Sequence, residues 1–200
     1  MEKFDVCVIG AGPSGFAAAM RAIDFGKRVA LVERNKVGGA GIFDGALSSK
    51  TLWELSESYQ QTHNTNLGYT VYDSEVHFSS VMHQAHRAVA EKHVQLKKQI
   101  SYFQKTGQLT FFNGHAKFAS KNEIDITDAE GAKQTIWAEN TVMAVGSRPR
   151  YLPHIPIDEK IILTSDGVSS LPDFPKSIVI LGAGVIGCEF ATIFSNFGKT

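Results

Sequence analysis

The feature that most constrains this chain is a glycine pattern that occurs twice. Gly10-Ala11-Gly12-Pro13-Ser14-Gly15 stands near the N-terminus, and Gly182-Ala183-Gly184-Val185-Ile186-Gly187 repeats it near the end of the 200 residues. The surroundings repeat as well, because Phe197-Gly198-Lys199 mirrors Phe25-Gly26-Lys27. Phe4 to Ile9 is a short apolar run with β-branched residues and reads as a buried parallel strand. Phe16 to Phe25 is rich in alanine and reads as a helix, with Gly26 as its C-terminal stop. Arg28 to Val32 reads as a second strand, with Glu33 at its end. Strand, glycines, helix, strand and terminal acid in this order form a dinucleotide-binding signature. Gly10 permits the tight turn, Gly12 lets a pyrophosphate approach the backbone, and Gly15 lets the helix pack on the strand. The helix N-terminus offers unpaired N–H groups and a positive dipole end to the phosphates. Glu33 can accept the hydroxyls of an adenosine ribose. The fold class is therefore α/β, with two Rossmann-like dinucleotide-binding domains, the second incomplete within this chain.

Bulk composition removes other classes. Twenty basic residues balance twenty acidic ones, so charge argues for neither a nucleic-acid nor a membrane partner. No apolar run approaches the ~20 residues needed to span a bilayer. Met1 to Lys3 lead straight into the first strand, so no signal peptide is expected and the cytoplasm is the expected location. Cys7 and Cys188 lie far apart in apolar segments and read as buried free thiols in a reducing compartment.

The stretch from Val37 to Lys50 follows the first unit and sets its chemistry. It reads Val37-Gly38-Gly39-Ala40-Gly41-Ile42-Phe43-Asp44-Gly45-Ala46-Leu47-Ser48-Ser49-Lys50. With the fingerprint before it, this stretch resembles the pyridine nucleotide–disulfide oxidoreductases, the family of dihydrolipoamide dehydrogenase, glutathione reductase, mercuric reductase and the soluble transhydrogenase. In that family the first fingerprint binds FAD, and the next segment reads G-G-T-C-x-N-x-G-C-x-P-S-K, with its two cysteines forming a redox disulfide. Laid on this sequence without gaps, the glycines fall on Gly38, Gly39 and Gly45, and the final pair on Ser49 and Lys50. The cysteines fall on Gly41 and Ala46, the asparagine on Phe43 and the proline on Ser48. The frame is kept and both sulfurs are missing. Disulfide exchange needs a thiolate and a leaving sulfur, and neither position supplies one. A lysine in the first turns of a helix is by itself an ordinary solvated residue. The resemblance implies that Lys50 lies near the flavin N5, where a cation stabilises a reduced, anionic flavin.

Thr51 to Gln61 reads as a helix, His63 to Asp73 as a polar connection, and about Ser74 to Tyr102 as a long amphipathic helix. His83, His86 and His93 lie on this last segment, but no cysteine or carboxylate completes a metal site, and none is expected. Leu109 to Phe112 reads as a strand, and Glu123 to Thr127 with Gln134 to Ala138 as part of a meander. Gly114-His115-Ala116-Lys117-Phe118 resembles the family's G-x-A-x-F segment, whose backbone meets the adenine. Thr141 to Pro149 is an apolar strand ending in Gly-Ser-x-Pro, like the family box in which Val145 replaces a threonine. The resemblance thus implies FAD contacts at Gly10, Gly12, Pro13, Ser14, Gly15, Glu33, Arg34, Gly39, Ala40, Lys50, His115, Ala116, Ala144, Gly146 and Ser147. Residues 1–150 are expected to be the first part of the FAD domain. Pro149, Pro153 and Pro156 stiffen a linker, and 151–200 are expected to open an NAD(P) domain.

In that second domain Gly182, Gly184, Val185, Ile186 and Gly187 are the expected NAD(P) contacts. Glu189, in the family's G-x-G-x-x-G-x-E pattern, is expected to pair with Lys50. The counterpart of Glu33, which separates NADH from NADPH, falls just beyond Thr200, and Gly187 leans towards NADH. Family members continue well past this point, so the chain reads as the N-terminal part of a longer protein, inactive alone and homodimeric when whole. The expected activity is an FAD-dependent NAD(P)H oxidoreductase that passes electrons directly to a small molecule or a redox protein. Two alternatives stay open: a catalytically degenerate nucleotide binder, and a lipoamide dehydrogenase-like enzyme with cysteines beyond residue 200.

Overall fold

A computed structural model describes residues 1–199. The chain falls into two compact units: residues 1–43 with 91–148, and residues 44–90 with 149–200. The units are not consecutive in sequence, because residues 44–90 group with the last quarter of the chain.

The first unit is built on a six-stranded sheet of order β3-β2-β1-β6-β5-β4. β1 is Glu2–Ile9, β2 is Val29–Glu33, β3 is Leu109–Asn113, β4 is His115–Phe118, β5 is Glu123–Thr127 and β6 is Lys133–Met143. β1, β2, β3 and β6 run parallel, while β5 and β4 complete the sheet antiparallel. Helix α1, Pro13–Asp24, makes the crossover from β1 to β2. Apolar runs at Val8, Val29, Ala30 and Leu31 fill both faces and are fully buried, as a parallel sheet requires. One face carries a cluster of Phe4, Cys7, Val32, Phe112, Ile124, Ile126 and Ile136. Burial of each large aliphatic side chain contributes about 1.5–3 kcal/mol. β6 joins two runs that the sequence separates. Residues 133–137 pair with β5 and residues 136–143 lie alongside β1, so the polar Glu139-Asn140 interruption is carried through as strand.

The second unit is helical. It holds α3, Ala46–Gln61, the first part of α4, Phe78–Lys105, and α5, Val185–Asn196. A four-residue α2, Gly39–Ile42, belongs to the first unit. Leu52, Val81, Met82, Ala85, Ile193 and Phe197 form the helical core, flanked by Tyr59, Phe78 and Phe174. Ser56 is fully buried there. It accepts from Asn196 Nδ2 at 3.1 Å and donates to the Trp53 carbonyl at 2.8 Å. α4 starts later and ends later than its apolar spacing predicts. The stop is Gly107, at φ 76°, whose N–H returns to the Gln104 carbonyl.

The segment before the second fingerprint differs from its N-terminal counterpart in one respect. Ser177 to Leu181 forms no strand, and Val179 and Leu181 are exposed. A parallel strand exists through its ladder partners, and among the described residues none pairs with this segment.

Candidate nucleotide-binding site

The parallel strands of the first unit end together. Ile9 lies opposite Val32 and Met143, and Glu33 opposite Asn113. Their carboxyl ends therefore bring the Gly10 turn, Glu33, the Gly114 turn and Ala144 to one edge, the place where open α/β sheets hold ligands. The Ala144 N–H donates to the Ile9 carbonyl at 2.8 Å, and the Gly114 N–H donates to that of Glu33 at 2.9 Å. The second bond draws His115 and Ala116 to the end of β2. Gly146 and Ser147 follow β6 in exposed backbone, and Arg34 and Ala40 are also exposed.

Each glycine of the turn has its own reason. Gly10 sits at φ 102°, and a Cβ there would run into the Ala144 carbonyl. A Cβ on Gly15 would overlap the Gly10 carbonyl oxygen. Gly12 is different: a Cβ there meets nothing within 4 Å. The turn and helix are closed at Gly10 and Gly15 and open at Gly12, the position where a pyrophosphate would approach. Gly12 caps α1 with no side chain, and Pro13 takes the first helical position. The residues thus fit a dinucleotide, with phosphates at the start of α1.

Glu33 is nearly buried at this edge. Its carboxylate accepts the Ala11 N–H at 2.7 Å and the Asn35 N–H at 2.8 Å, so it is held against the turn. Next in the chain, the Gly38 N–H donates to the Ala11 carbonyl at 2.8 Å, and Gly38 and Gly39 take φ 107° and 50°. A Cβ on Gly39 would lie 3.2 Å from the Gly12 Cα. A Cβ on Gly41 would collide with the Pro13 ring. The glycine-rich segment thus lies against the turn, backbone to backbone.

The second fingerprint repeats the local geometry of the first. Gly182 has φ 115°, and a Cβ on Gly187 would overlap the Gly182 carbonyl. Gly184 caps α5 with φ −74° and ψ 174°, against −70° and −176° at Gly12, and is equally open to a Cβ. Val185 and Ile186 are exposed on the first turn of α5.

One turn into α5, Glu189 meets α3. Lys50 Nζ lies 2.5 Å from Glu189 Oε1, and the Ser49 hydroxyl donates to the same oxygen at 3.1 Å. Lys50 is 64% exposed and Glu189 12%, so the pair contributes about 0.2–1 kcal/mol to stability and leaves most of the ammonium in solvent. Sequence reasoning names the ion pair but misses the serine, whose place within reach of α5 has no local signal. Cys7 is sealed in the sheet, and burial pushes its thiol up to about 12, so it supplies no thiolate at neutral pH. Cys188, also expected to be buried, is instead exposed on α5, because the apolar run that carries it lies on the outer side of the helix. Among the described residues no group of three or more His, Cys, Asp or Glu is placed to hold a metal ion.

Residues 4–200 match the family described as pyridine nucleotide-disulphide oxidoreductase. The chain belongs to the pyridine nucleotide-disulphide oxidoreductase family. It is 33% identical to a dihydrolipoyl dehydrogenase of Trypanosoma brucei brucei over 202 aligned residues, covering 99% of this chain and 41% of that protein. A Cu(II) complex of the HOCl-induced flavoprotein disulfide reductase RclA from Escherichia coli is 25% identical with a TM-score of 0.78. That match covers all of this chain and 42% of RclA. LpdA from Mycobacterium tuberculosis shares the fold, with a TM-score of 0.85 at 20% identity, over all of this chain and 43% of its own. The chain therefore spans about two-fifths of the length of these proteins.

Proposed function

We propose that the protein is an FAD-dependent NAD(P)H oxidoreductase whose flavin is reoxidised directly by an acceptor. The observation that carries this reading is the same phosphate-turn geometry formed twice in one chain, each open at its middle glycine. In this reading Gly10, Gly12, Pro13, Ser14, Gly15, Glu33, Arg34, Gly39, Ala40, His115, Ala116, Ala144, Gly146 and Ser147 hold FAD. Gly182, Gly184, Val185, Ile186 and Gly187 hold NAD(P)H, with NADH favoured by Gly187. Backbone N–H groups at the start of α1 and α5 neutralise pyrophosphate, and the Glu33 carboxylate orients a ribose. When bound, FAD supplies two-electron acceptance from a nicotinamide. Lys50, steadied by Glu189 and Ser49, offers an ammonium to negative charge that develops on reduction. Gly41 and Ala46 carry no sulfur, so electrons leave without a dithiol relay from this segment. The acceptor is a small molecule or a redox protein, the whole protein is a homodimer, and its location is the cytoplasm.

The missing sulfurs also support a second reading, a nucleotide-binding family member without turnover. Anaerobic addition of NADH or NADPH to the intact, FAD-loaded protein separates the two. Bleaching of the visible flavin band is the expected result and identifies the donor, and reoxidation then ranks quinones, oxygen and redox proteins. Bound FAD that stays yellow with both donors overturns the oxidoreductase reading in favour of the second.

A further inference from the structure

We propose that His93 is a positioning residue for the first nucleotide site, clamping the Val37–Phe43 segment onto the glycine turn. This rests on the reading of that turn as the FAD site. The segment is poorly suited to hold itself. Gly38, Gly39 and Gly41 are three of its seven residues, and two of them take positive φ, so ordering it costs more backbone entropy than an ordinary loop. The only helix within it has four residues, and no sulfur at Gly41 ties it covalently.

One imidazole grips both ends. His93 Nδ1 lies 2.9 Å from the Val37 carbonyl oxygen. A carbonyl only accepts, so the proton is on Nδ1. The same ring meets Phe43 edge to face, with centroids 5.1 Å apart and planes at 70°. Lys36 Nζ stands 4.9 Å from the centroid of Phe43 and adds a cation to that aromatic contact. His93 is itself anchored, because α4 buries Leu96 and Ile100 one and two turns further on. Between the gripped ends, the Gly38 N–H reaches the Ala11 carbonyl and Gly39 closes on Gly12. The histidine thus fixes the one stretch of backbone that lies directly against the open glycine of the turn.

The test uses the intact protein with FAD removed, and three variants. His93→Asn keeps a donor, since its Nδ2 occupies the place of the imidazole Nδ1. His93→Phe keeps the ring and loses the donor. His93→Ala loses both. FAD affinity is read by fluorescence titration, and site geometry by the visible circular dichroism of the bound flavin. Loss of one partly buried hydrogen bond, about 1 kcal/mol, corresponds to a change in Kd of up to about tenfold. The expected result is up to about tenfold weaker FAD binding and an altered flavin dichroism in His93→Phe, with His93→Asn, which keeps the hydrogen bond and loses the ring contact, falling between His93→Phe and wild type. If His93→Ala does not fold, the Asn and Phe variants carry the comparison. FAD binding unchanged in His93→Phe overturns the clamp while leaving the FAD reading intact. Wild-type protein that takes up no FAD overturns both.

Discussion

A methyl group on Gly41 would strike the ring of Pro13, which is itself fixed at the first position of α1. Gly41 is therefore needed as glycine, and the absence of a cysteine there is built into the packing of its neighbours. Gly41→Ala, and the double variant Gly41→Cys with Ala46→Cys, are expected to be destabilised by about 1–3 kcal/mol, because the ring must move off the turn. Chemical denaturation measures this, and unchanged midpoints would show that the segment yields freely. Much of the residue scale was legible in advance. The glycines and Glu33 follow from type and spacing, and the Lys50–Glu189 pair follows from the family resemblance. The clamp at His93 does not, because it joins residues far apart in sequence through a histidine that looks like any other on the face of an amphipathic helix.

Elements follow the same division. β1, α1 and β2 carry local signals at every boundary: an apolar run, a glycine turn with proline at the first helical position, and Gly26 at φ 71° after the last turn. α4 ends where Gly107 permits and not where its apolar spacing fades. Ser177 to Leu181, apolar like β1, forms no strand for the opposite reason, since pairing is a property of the partner and no local signal reports it. The glycines of α1 make the cleanest experiment at this scale. Gly15→Ala drives a Cβ into the Gly10 carbonyl and should cost about 1–3 kcal/mol of stability. Gly12→Ala has open space and allowed dihedrals, and should cost about 1 kcal/mol or less. It should nonetheless weaken FAD binding at least about tenfold, by obstructing the approach of the pyrophosphate. Paired melting and FAD titration would show the two effects separating. A Gly12 variant that binds FAD as wild type does would remove the turn from the site.

At the scale of the molecule, the chain passes from the sheet unit to the helical unit after Phe43, returns within α4, and leaves again after Arg148. No periodicity reports that partition, because it is decided by which apolar faces find each other. Leu52 and Ile193 share a core across most of the sequence. If FAD binds the folded state alone, its presence at a hundred times Kd adds about 2.7 kcal/mol. For a chain of this size that corresponds to a rise in melting temperature of roughly 5–10 °C. Thermal denaturation with and without FAD checks it, and Gly12→Ala, at about tenfold weaker binding, should lose about half of the shift.

The second fingerprint carries one more consequence. Gly182, Gly184 and Gly187 adopt the turn and helix cap of the first site although the residues before them form no strand. The cradle is therefore encoded within a few consecutive residues and closed by contacts of very short sequence separation. Contacts of that kind form early and fast in folding. Such a turn can be shaped while the chain is still being synthesised, and the sheet, when it assembles, receives a turn already made.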